Sequence, residues 1–587
     1  MKHFAFLSVL AIVFALACAR ELLEQEETDF ESEVQQGVLA LRALASTNLE
    51  GVKTLKEAIA SGDLDAAKKA YIRSRPEYEQ IEVLAGSFEG IDSDIDARAY
   101  AFDNGEAVKG VDNLFERGAH FQGFHRIEAL IFRDGALESA LPYADDLIKD
   151  SEDLLVALGE PERFNAQGSF GGMIGLSTEV AAKKMSSEEE TYSDMSILIF
   201  HNNYLGVESQ YRPFAEKVKV ADPELAEAID SALESWLETL KPHFSENEDG
   251  VIDYAKYTSV DIPARAAIQA GAYKVADLLR KAADALNVFM GEGEENVEGC
   301  EGEPEKVFDG ESEQIKAGLD YFRALMPGQI ALVDELIAAI EAGDLDGAKK
   351  AYTRSRPPYE QIEVLAVSFL NEDSDIDARP YAFELGEFDE GFKGFHKLER
   401  QIYRDEDLGA ETLATAKGLA SSMQSLDEKL NNPELFNSVT NFEGMIGLAT
   451  EVPGKKISSE EEVFSGLSIL IFYNNWKGIY SQLKPFLKDD SKADAVFDEA
   501  FRCLGVTTND VWNKVSASDV TEDFVKDLAD TEYPVYDLEN MELRECVVIN
   551  AYKIRDVLLE LSQELGVFVD CHPFHESSVY SYRHKVF

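Results

Sequence analysis

Apolar residues recur at helical spacing along most of the chain. The pattern begins near Val34. It predicts helices over residues 52–60, 64–88, 139–158, 223–240 and 263–286. Asp63 is placed to cap one of these helices, and Pro76 predicts a kink within it. Few stretches alternate between apolar and polar residues as strands do, so we predict an almost entirely α-helical fold.

The same motifs occur twice, in the same order. Residues 78–82 return as 359–363, 94–98 as 375–379, 123–128 as 394–399, and 187–190 as 459–462. The period is far longer than the 20–50 residues of solenoid repeats. We therefore infer a tandem domain duplication, with helical domains at residues 20–290 and 307–565.

The remaining segments differ from these domains in composition. Residues 1–19 carry an apolar run before a small-residue cleavage site, which predicts a secretory signal peptide. Residues 291–306 are rich in Gly and Glu and predict a linker, and residues 566–587 form a C-terminal tail. No later stretch has the length and apolarity of a membrane span. We expect a secreted, periplasmic or cell-surface protein.

Four cysteines follow the signal sequence, namely Cys300, Cys503, Cys546 and Cys571. They contain no Cys-x-x-Cys pair, which argues against a zinc ribbon. In an exported chain we expect one or two disulfides, and all three full connectivities remain open. Cys300 and Cys571 are candidates to tie the linker and the tail to the second domain.

The charge changes the picture of what the protein binds. The chain has 55 basic and 112 acidic residues, a formal net charge of -57. Nucleic acids and anionic membranes are bound through a surplus of Lys and Arg, so both are excluded as partners. An acidic protein instead attracts cations. Most of these acids are expected to form a solvated surface, and only particular carboxylates are candidate ligands.

Only one histidine position is shared by the two repeats. His125 matches His396, and each is followed three residues later by a glutamate on the same helix face. Five carboxylate positions also persist: Glu79/Glu360, Glu82/Glu363, Asp96/Asp377, Glu128/Glu399 and Glu189/Glu461. Acids gathered inside a helical bundle repel one another unless protons, arginines or a metal neutralise them. One imidazole with oxygen ligands suits iron, with zinc, manganese or calcium as the other candidates.

Other interpretations of these residues remain open. Arginines at positions 73, 75 and 98 recur as well, so the acids also fit a structural Arg–Glu network. Residues 188–190 are typical of the first turn of a helix capped by Ser187, and Asp96 is typical of a loop cap. The chain has no His-Glu-x-x-His helix, no Gly-rich phosphate loop and no Gly-x-Ser-x-Gly elbow.

The ordered set Tyr-Glu-x-Ile-Glu, Asp-Ile-Asp-Ala-Arg, Gly-Phe-His-x-x-Glu and Ser-Glu-Glu-Glu resembles the imelysin-like proteins, most closely their EfeO branch. The resemblance covers most of residues 34–285 and 310–560. It implies that each repeat is made of two four-helix bundles with a metal site between or within them. The ligand candidates that it implies are Glu79, Glu82, Asp96, His125, Glu128 and Glu189, with Glu360, Glu363, Asp377, His396, Glu399 and Glu461 in the second repeat.

Two features depart from the EfeO pattern. A cupredoxin-like domain is missing from the start, and Asp194 and Gly466 stand where the family often has a histidine. The resemblance implies an exported protein of iron uptake, without covalent chemistry, that binds one ion per repeat and delivers it to a membrane permease or reductase. One alternative is a metallopeptidase using His-x-x-Glu, the class with which the family is grouped. The other is a structural or surface protein whose sites have decayed.

Overall fold

The computed structural model describes residues 30–101, 121–186, 188–247, 252–288, 307–383, 385–507 and 512–567. The predicted signal peptide, the linker at 291–306 and almost all of the tail lie outside these residues, as do Cys300 and Cys571. The structure therefore bears on the two repeats, and the domain boundaries stay predictions.

The first repeat consists of two consecutive four-helix bundles. The first bundle contains α1 (Glu31–Ala60), α2 (Leu64–Ser74), α3 (Pro76–Ile81), α4 (Glu89–Asp96), α5 (Gly123–Glu128) and α6 (Leu137–Ala157). Within it, α2 and α3 form one broken helix, and α4 and α5 occupy one helix position. The second bundle contains α7 (Ala166–Ala182), α8 (Ser196–Tyr211), α9 (Ala215–Ala221), α10 (Pro223–Leu240) and α11 (Ile262–Ala285), and α9 continues α8 through the turn Arg212–Phe214. A short antiparallel hairpin, β1 (Phe244–Glu246) and β2 (Ile252–Tyr254), joins α10 to α11.

The second repeat has the same architecture. Its first bundle contains α12 (Glu313–Glu341), α13 (Leu345–Ile362), α14 (Leu370–Asp377), α15 (Gly394–Glu399) and α16 (Ala410–Leu430). Its second bundle contains α17 (Ser438–Gly454), α18 (Ser468–Leu483), α19 (Ser491–Cys503) and α21 (Met541–Leu565), and the short α20 (Glu522–Ala529) between α19 and α21 packs against α13 of the first bundle. The predicted all-α fold and its two bundles per repeat are confirmed.

The periodicity of the sequence explains these helices. In α1 the buried residues Val34, Val38, Leu41, Ala45 and Val52 follow one stripe at helical spacing. The carboxylate of Asp63 accepts a hydrogen bond from Ala66 N, which caps α2 as predicted. Pro76 begins α3, where its missing N–H leaves no hydrogen bond unmade. Buried apolar side chains form one large cluster per repeat, which includes Trp236 in the first repeat and Trp476 in the second.

One helix prediction is wrong. Residues 188–190 lie in an irregular turn, and the next helix begins only at Ser196. In the second repeat Ser459 has a φ of 70°, and its hydroxyl donates to the Glu462 carbonyl instead of accepting from a backbone N–H. The glutamates are buried among arginines and lysines, so ion pairing outweighs the capping tendency of the sequence. We call residues 188–193 and 460–465 the glutamate turns.

The disulfide expectation is confirmed for one pair. Cys503 at the end of α19 is bonded to Cys546 in α21, 43 residues further along the chain. This bond links two helices of the second bundle of the second repeat. None of the helices that the structure describes is long and apolar enough to cross a bilayer.

The Cys503–Cys546 bond should stabilise the second repeat selectively. Closing a loop of this length lowers the entropy of the unfolded chain and is worth about 4 kcal/mol. We expect the double variant Cys503→Ser/Cys546→Ser to unfold at a lower urea concentration than the natural chain, as followed by circular dichroism. Reductant should reproduce the loss in the natural chain and change nothing further in the variant. Equal stability of the two proteins would contradict the expectation.

Candidate metal centre

A glycine brings the first two site residues together. Gly123 has a φ of +72°, and a Cβ at this position would lie 2.2 Å from the Ile95 carbonyl oxygen. Glycine therefore lets the start of α5 lie directly against the end of α4, where Asp96 is found. Gly394 repeats this arrangement with a φ of +82° and a Cβ distance of 2.1 Å to the Ile376 oxygen. A single π turn follows each short helix.

Three donors meet at this point in each repeat. The ligand atoms of Asp96, His125 and Glu189 all lie within 4.8 Å of one another, and all three residues are buried. His125 Nε2 is 3.3 Å from Asp96 Oδ1 and 3.9 Å from Glu189 Oε2. Asp377, His396 and Glu461 form the same group, with distances of 3.3 and 3.8 Å from His396 Nε2. We call these groups cluster one and cluster two.

The spacing and chemistry of the clusters suit a hard metal ion. Imidazole nitrogens and carboxylate oxygens bind such ions at about 2.0–2.2 Å, so two ligands of one ion lie at most about 4.4 Å apart. The distances from the histidine Nε2 atoms to the carboxylates, 3.3 to 3.9 Å, fall within that limit. Within the described part of the chain, neither Glu189 Oε2 nor Glu461 Oε2 accepts a hydrogen bond. The neighbouring arginines are at ion-pair distance, with Arg75 Nη2 3.9 Å from Glu189 Oε2 and Arg356 Nη2 3.8 Å from Glu461 Oε2.

The carboxylates of cluster one are held in the ionised form. Burial favours the neutral acid at Asp96, but Arg75 and His125 outweigh it and hold the pKa of Asp96 well below its usual value. Burial likewise opposes ionisation of Glu189, and Arg98 and Lys184 lower its pKa to about 2. An ionised carboxylate is the form that binds metal, and both groups are in that form, although Asp96 also accepts hydrogen bonds from Arg75.

Glu79 and Glu82 belong to the surrounding ion-pair network and lie outside cluster one. Arg75 Nη2 is 2.6 Å from Glu79 Oε1, and Lys184 Nζ is 2.7 Å from Glu82 Oε1. The Asn203 amide donates to both carboxylates, at 3.1 and 2.9 Å. Burial raises the pKa of Glu82 to about 8 and raises that of Glu79 well above its usual value. Burial thus opposes the ionisation of both acids, and Arg75 and Lys184 oppose this effect of burial.

The corresponding acids of the second repeat have the same partners. Arg356 Nη2 is 2.9 Å from Glu360 Oε1, and Lys456 Nζ is 2.8 Å from Glu363 Oε1. Asn475 donates to both carboxylates. Both copies of this pair are thus neutralised by protein side chains.

Glu128 sits behind the imidazole of His125. Its Oε1 accepts hydrogen bonds from Tyr192 N and Ser193 N at 2.6 and 2.8 Å, and its Oε2 is 3.9 Å from His125 Nδ1. Glu399 accepts the same two bonds from the second glutamate turn, at 2.7 and 2.9 Å. These glutamates fasten the glutamate turn to the histidine helix and so position Glu189 and Glu461 in the clusters.

The Arg–Glu network and the metal donors share carboxylates. Arg75 contacts Glu79, Asp96 and Glu190, and Arg98 contacts Glu189. The network interpretation therefore describes part of the site correctly. Lys184, which is fully buried beside Glu189 at 3.0 Å, was missed from the sequence. Its signal was the Lys-Lys pair that precedes the Ser-Glu-Glu-Glu motif in both repeats.

Asp194 and Gly466, which stand where the family often has a histidine, have a structural role in this chain. Asp194 adopts a left-handed φ of 64°, and its carboxylate accepts bonds from Thr258 N at 2.9 Å and Thr258 Oγ1 at 2.6 Å. Gly466, at the matching position, has a φ of 72°. Both residues end the glutamate turn with a left-handed bend, and neither is among the three donors of a cluster.

The fold and the clusters define a class: a paired helical protein with two buried sites, each made of one histidine and two carboxylates. The family model of imelysin matches residues 38–286 and 329–507, so this chain belongs to the imelysin family. The family prediction is thereby confirmed.

Curated relatives support the EfeO branch of that family. The iron uptake system component EfeO of Escherichia coli O1:K1 / APEC is 33% identical over 209 residues. The proteins of the same name from Escherichia coli strain K12 and Shigella flexneri are 32% identical. Each match covers 36% of this chain and 52% of the relative, so the chain spans about half the length of the curated relatives it matches.

Gly123→Ala should separate α4 from α5 and lower the free energy of unfolding by roughly 1–3 kcal/mol, because of its positive φ and the close Ile95 oxygen. Gly418→Ala is the matched control. Gly418 is exposed within α16, where a Cβ meets nothing within 4 Å, so alanine should stabilise that helix by roughly 0.5–1 kcal/mol. Thermal unfolding of both variants tests the difference. A Gly123→Ala variant with unchanged thermal stability would contradict the close packing of α4 and α5.

Proposed function

We propose that this protein binds one metal ion per repeat, iron foremost, and serves in iron uptake. Asp96, His125 and Glu189 are the proposed ligands in the first repeat, and Asp377, His396 and Glu461 those in the second. The observation that carries the proposal is the duplicated cluster, in which three convergent donors are buried at the same place in both repeats. The names of the EfeO relatives supply the link to iron uptake.

The donor set selects hard or borderline cations. Carboxylate oxygens suit iron, manganese and calcium, and a single imidazole is compatible with iron and zinc, whereas soft ions prefer thiolates. Arg75 pairs with Asp96, and Arg98 and Lys184 pair with Glu189. These cations compete with the metal for the same carboxylates and limit its affinity. A moderate affinity suits an ion that is cargo and has to be released.

The rest of the chain is consistent with a carrier outside the cytosol. The net charge of -57 raises the local concentration of cations around the protein. In this proposal the signal peptide directs the chain to a secreted, periplasmic or cell-surface location. There it passes its ion to a membrane permease or reductase.

A metallopeptidase is the second candidate, favoured only by His-x-x-Glu. Such an enzyme needs a general base that faces the bound ion and its water. Glu128 Oε1 instead accepts hydrogen bonds from two backbone N–H groups, and its carboxylate lies on the Nδ1 side of the His125 ring. Its geometry favours a positioning function over proton transfer. A protein with decayed sites is the third candidate, and metal analysis separates it from the first.

Elemental analysis of the purified protein after loading with Fe²⁺ should find two ions per chain. His125→Ala and His396→Ala should each retain one ion, and the double variant none. His201→Ala is the control, because His201 is a buried histidine of the first repeat that stacks on Phe244 away from the cluster; it should retain both ions. No bound metal, or a stoichiometry unaffected by the two substitutions, would refute the proposal.

Incubation with unfolded casein tests the peptidase alternative. We expect no cleavage that depends on a bound metal, because the site lacks a free general base. Chelator-sensitive cleavage that Glu128→Gln abolishes would establish the enzyme instead. Glu77→Gln, a partly buried glutamate outside the cluster, controls for the loss of a charge.

A further inference from the structure

The two carboxylate oxygens of Glu189 have different surroundings. Oε2 belongs to cluster one and lies 3.9 Å from His125 Nε2. Oε1 pairs with two cationic side chains, because Arg98 Nη2 contacts it and Lys184 Nζ lies 3.0 Å from it. One oxygen of this proposed ligand therefore faces the cluster, and the other is held by the protein.

The second repeat has the same arrangement. Glu461 Oε2 lies 3.8 Å from His396 Nε2, and Glu461 Oε1 pairs with Arg379 Nη2 and with Lys456 Nζ, the latter at 2.7 Å. The division of the two oxygens is thus a property of both repeats.

The lysine of each repeat is fixed from its other side. Lys184 is fully buried, and its Nζ donates to both oxygens of Glu82 at 2.7 Å. Lys456 is also fully buried and donates to Glu363 at 2.8 and 3.0 Å. A buried ammonium group that loses its partners is strongly destabilising. Each lysine is therefore held between two glutamates, one of which is a proposed ligand.

Metal ions differ in how many oxygens of one carboxylate they use. Ca²⁺ takes six to eight oxygen ligands at about 2.3–2.6 Å and often binds both oxygens of a glutamate. Smaller divalent ions prefer six positions at octahedral angles, which the two oxygens of one carboxylate do not fit without strain. A glutamate that offers a single oxygen therefore disfavours Ca²⁺ more than a smaller ion.

We propose that Lys184 and Arg98 restrict Glu189 to one metal-binding oxygen and thereby select smaller divalent ions against Ca²⁺. The equivalent residues of the second repeat do the same for Glu461. Lys184 is a positioning residue, because it acts through the oxygen that it holds. This inference rests on the proposed metal binding and adds a reason for cluster one to reject one of the candidate ions.

Competition between Mn²⁺ and Ca²⁺ tests the selection at cluster one. In full-length His396→Ala, which keeps only cluster one, electron paramagnetic resonance of free Mn²⁺ gives the Mn²⁺ dissociation constant. Displacement of Mn²⁺ by Ca²⁺ gives the Ca²⁺ constant. The measured quantity is the ratio of the Ca²⁺ constant to the Mn²⁺ constant. The loss of a positive charge strengthens the binding of both divalent ions alike, so that effect cancels in the ratio.

Lys184→Met should lower this ratio at least about threefold, because it leaves only Arg98 on Oε1. The double variant Arg98→Met/Lys184→Met frees this oxygen from both cations and should lower the ratio at least about tenfold. Lys184→Arg keeps a cation that can pair with Oε1, so it should restore the parental ratio.

Lys183→Met is the matched control. Lys183 is the neighbouring buried lysine, and it pairs with Glu179 at 3.2 Å and with Glu188 at 3.5 Å. Its loss removes the same charge without freeing Glu189 Oε1, so the ratio should stay at the parental value. An equal fall in Lys183→Met and Lys184→Met, or an unchanged ratio in the double variant, would overturn the selection.

The same titrations separate this inference from the proposed function. A parent that binds no Mn²⁺ at cluster one would overturn both. Mn²⁺ binding with a ratio that is the same in all variants would overturn the selection alone.

A second variant keeps the test open if Lys184→Met does not fold. Glu82→Gln/Lys184→Met removes both charges of the buried pair, so neither is left unpaired. It should lower the ratio as Lys184→Met does. Lys456→Met in a His125→Ala background repeats the measurement at cluster two, where an unchanged ratio would overturn the selection for the second repeat.

Discussion

The buried pairing of Arg75 with carboxylates from separate segments is the interaction on which the first repeat depends. This arginine is 1% exposed and contacts Glu79 on α3, Asp96 at the end of α4 and Glu190 in the glutamate turn. Arg356 makes the equivalent contacts in the second repeat. Removing one partner of a buried ion pair typically destabilises a protein by 3–5 kcal/mol, so these contacts constrain the relative positions of the segments. The proposed metal donors lie on the same segments and are positioned by them.

The distribution of protons separates the two kinds of acid in the site. Where arginine or lysine outweighs burial, as at Asp96 and Glu189, the carboxylate stays ionised. Where burial prevails, as at Glu79 and Glu82, the pKa is raised. A raised pKa favours the protonated form, which limits the repulsion that a fully ionised set would produce. The same network thus keeps the carboxylates of the cluster ionised and opposes the ionisation of their neighbours.

Much of the fold and part of the site follow from the sequence. Helical periodicity and the repeated motifs were sufficient for the all-α fold and the duplication, since both are read directly from residue order. Of the six candidate ligands in each repeat, three form the cluster and three lie outside it. The sequence could not separate them, because residue order along a helix does not specify which carboxylate an arginine contacts. Glu82 and Lys184 are about a hundred residues apart, and their contact depends on tertiary packing. The glutamate turn was mistaken for a helix start because its local signal was overridden by burial beside Arg98 and Lys184.

The disulfide makes the two halves of the chain chemically unequal. Cys503 and Cys546 lie in the second repeat, whereas no cysteine occurs between residues 19 and 299. The redox potential of the surroundings therefore affects the stability of the second repeat only. A reducing environment destabilises the repeat that contains cluster two and leaves the repeat that contains cluster one unchanged. A duplicated protein built this way has one repeat whose stability is independent of oxidation and one whose stability depends on it.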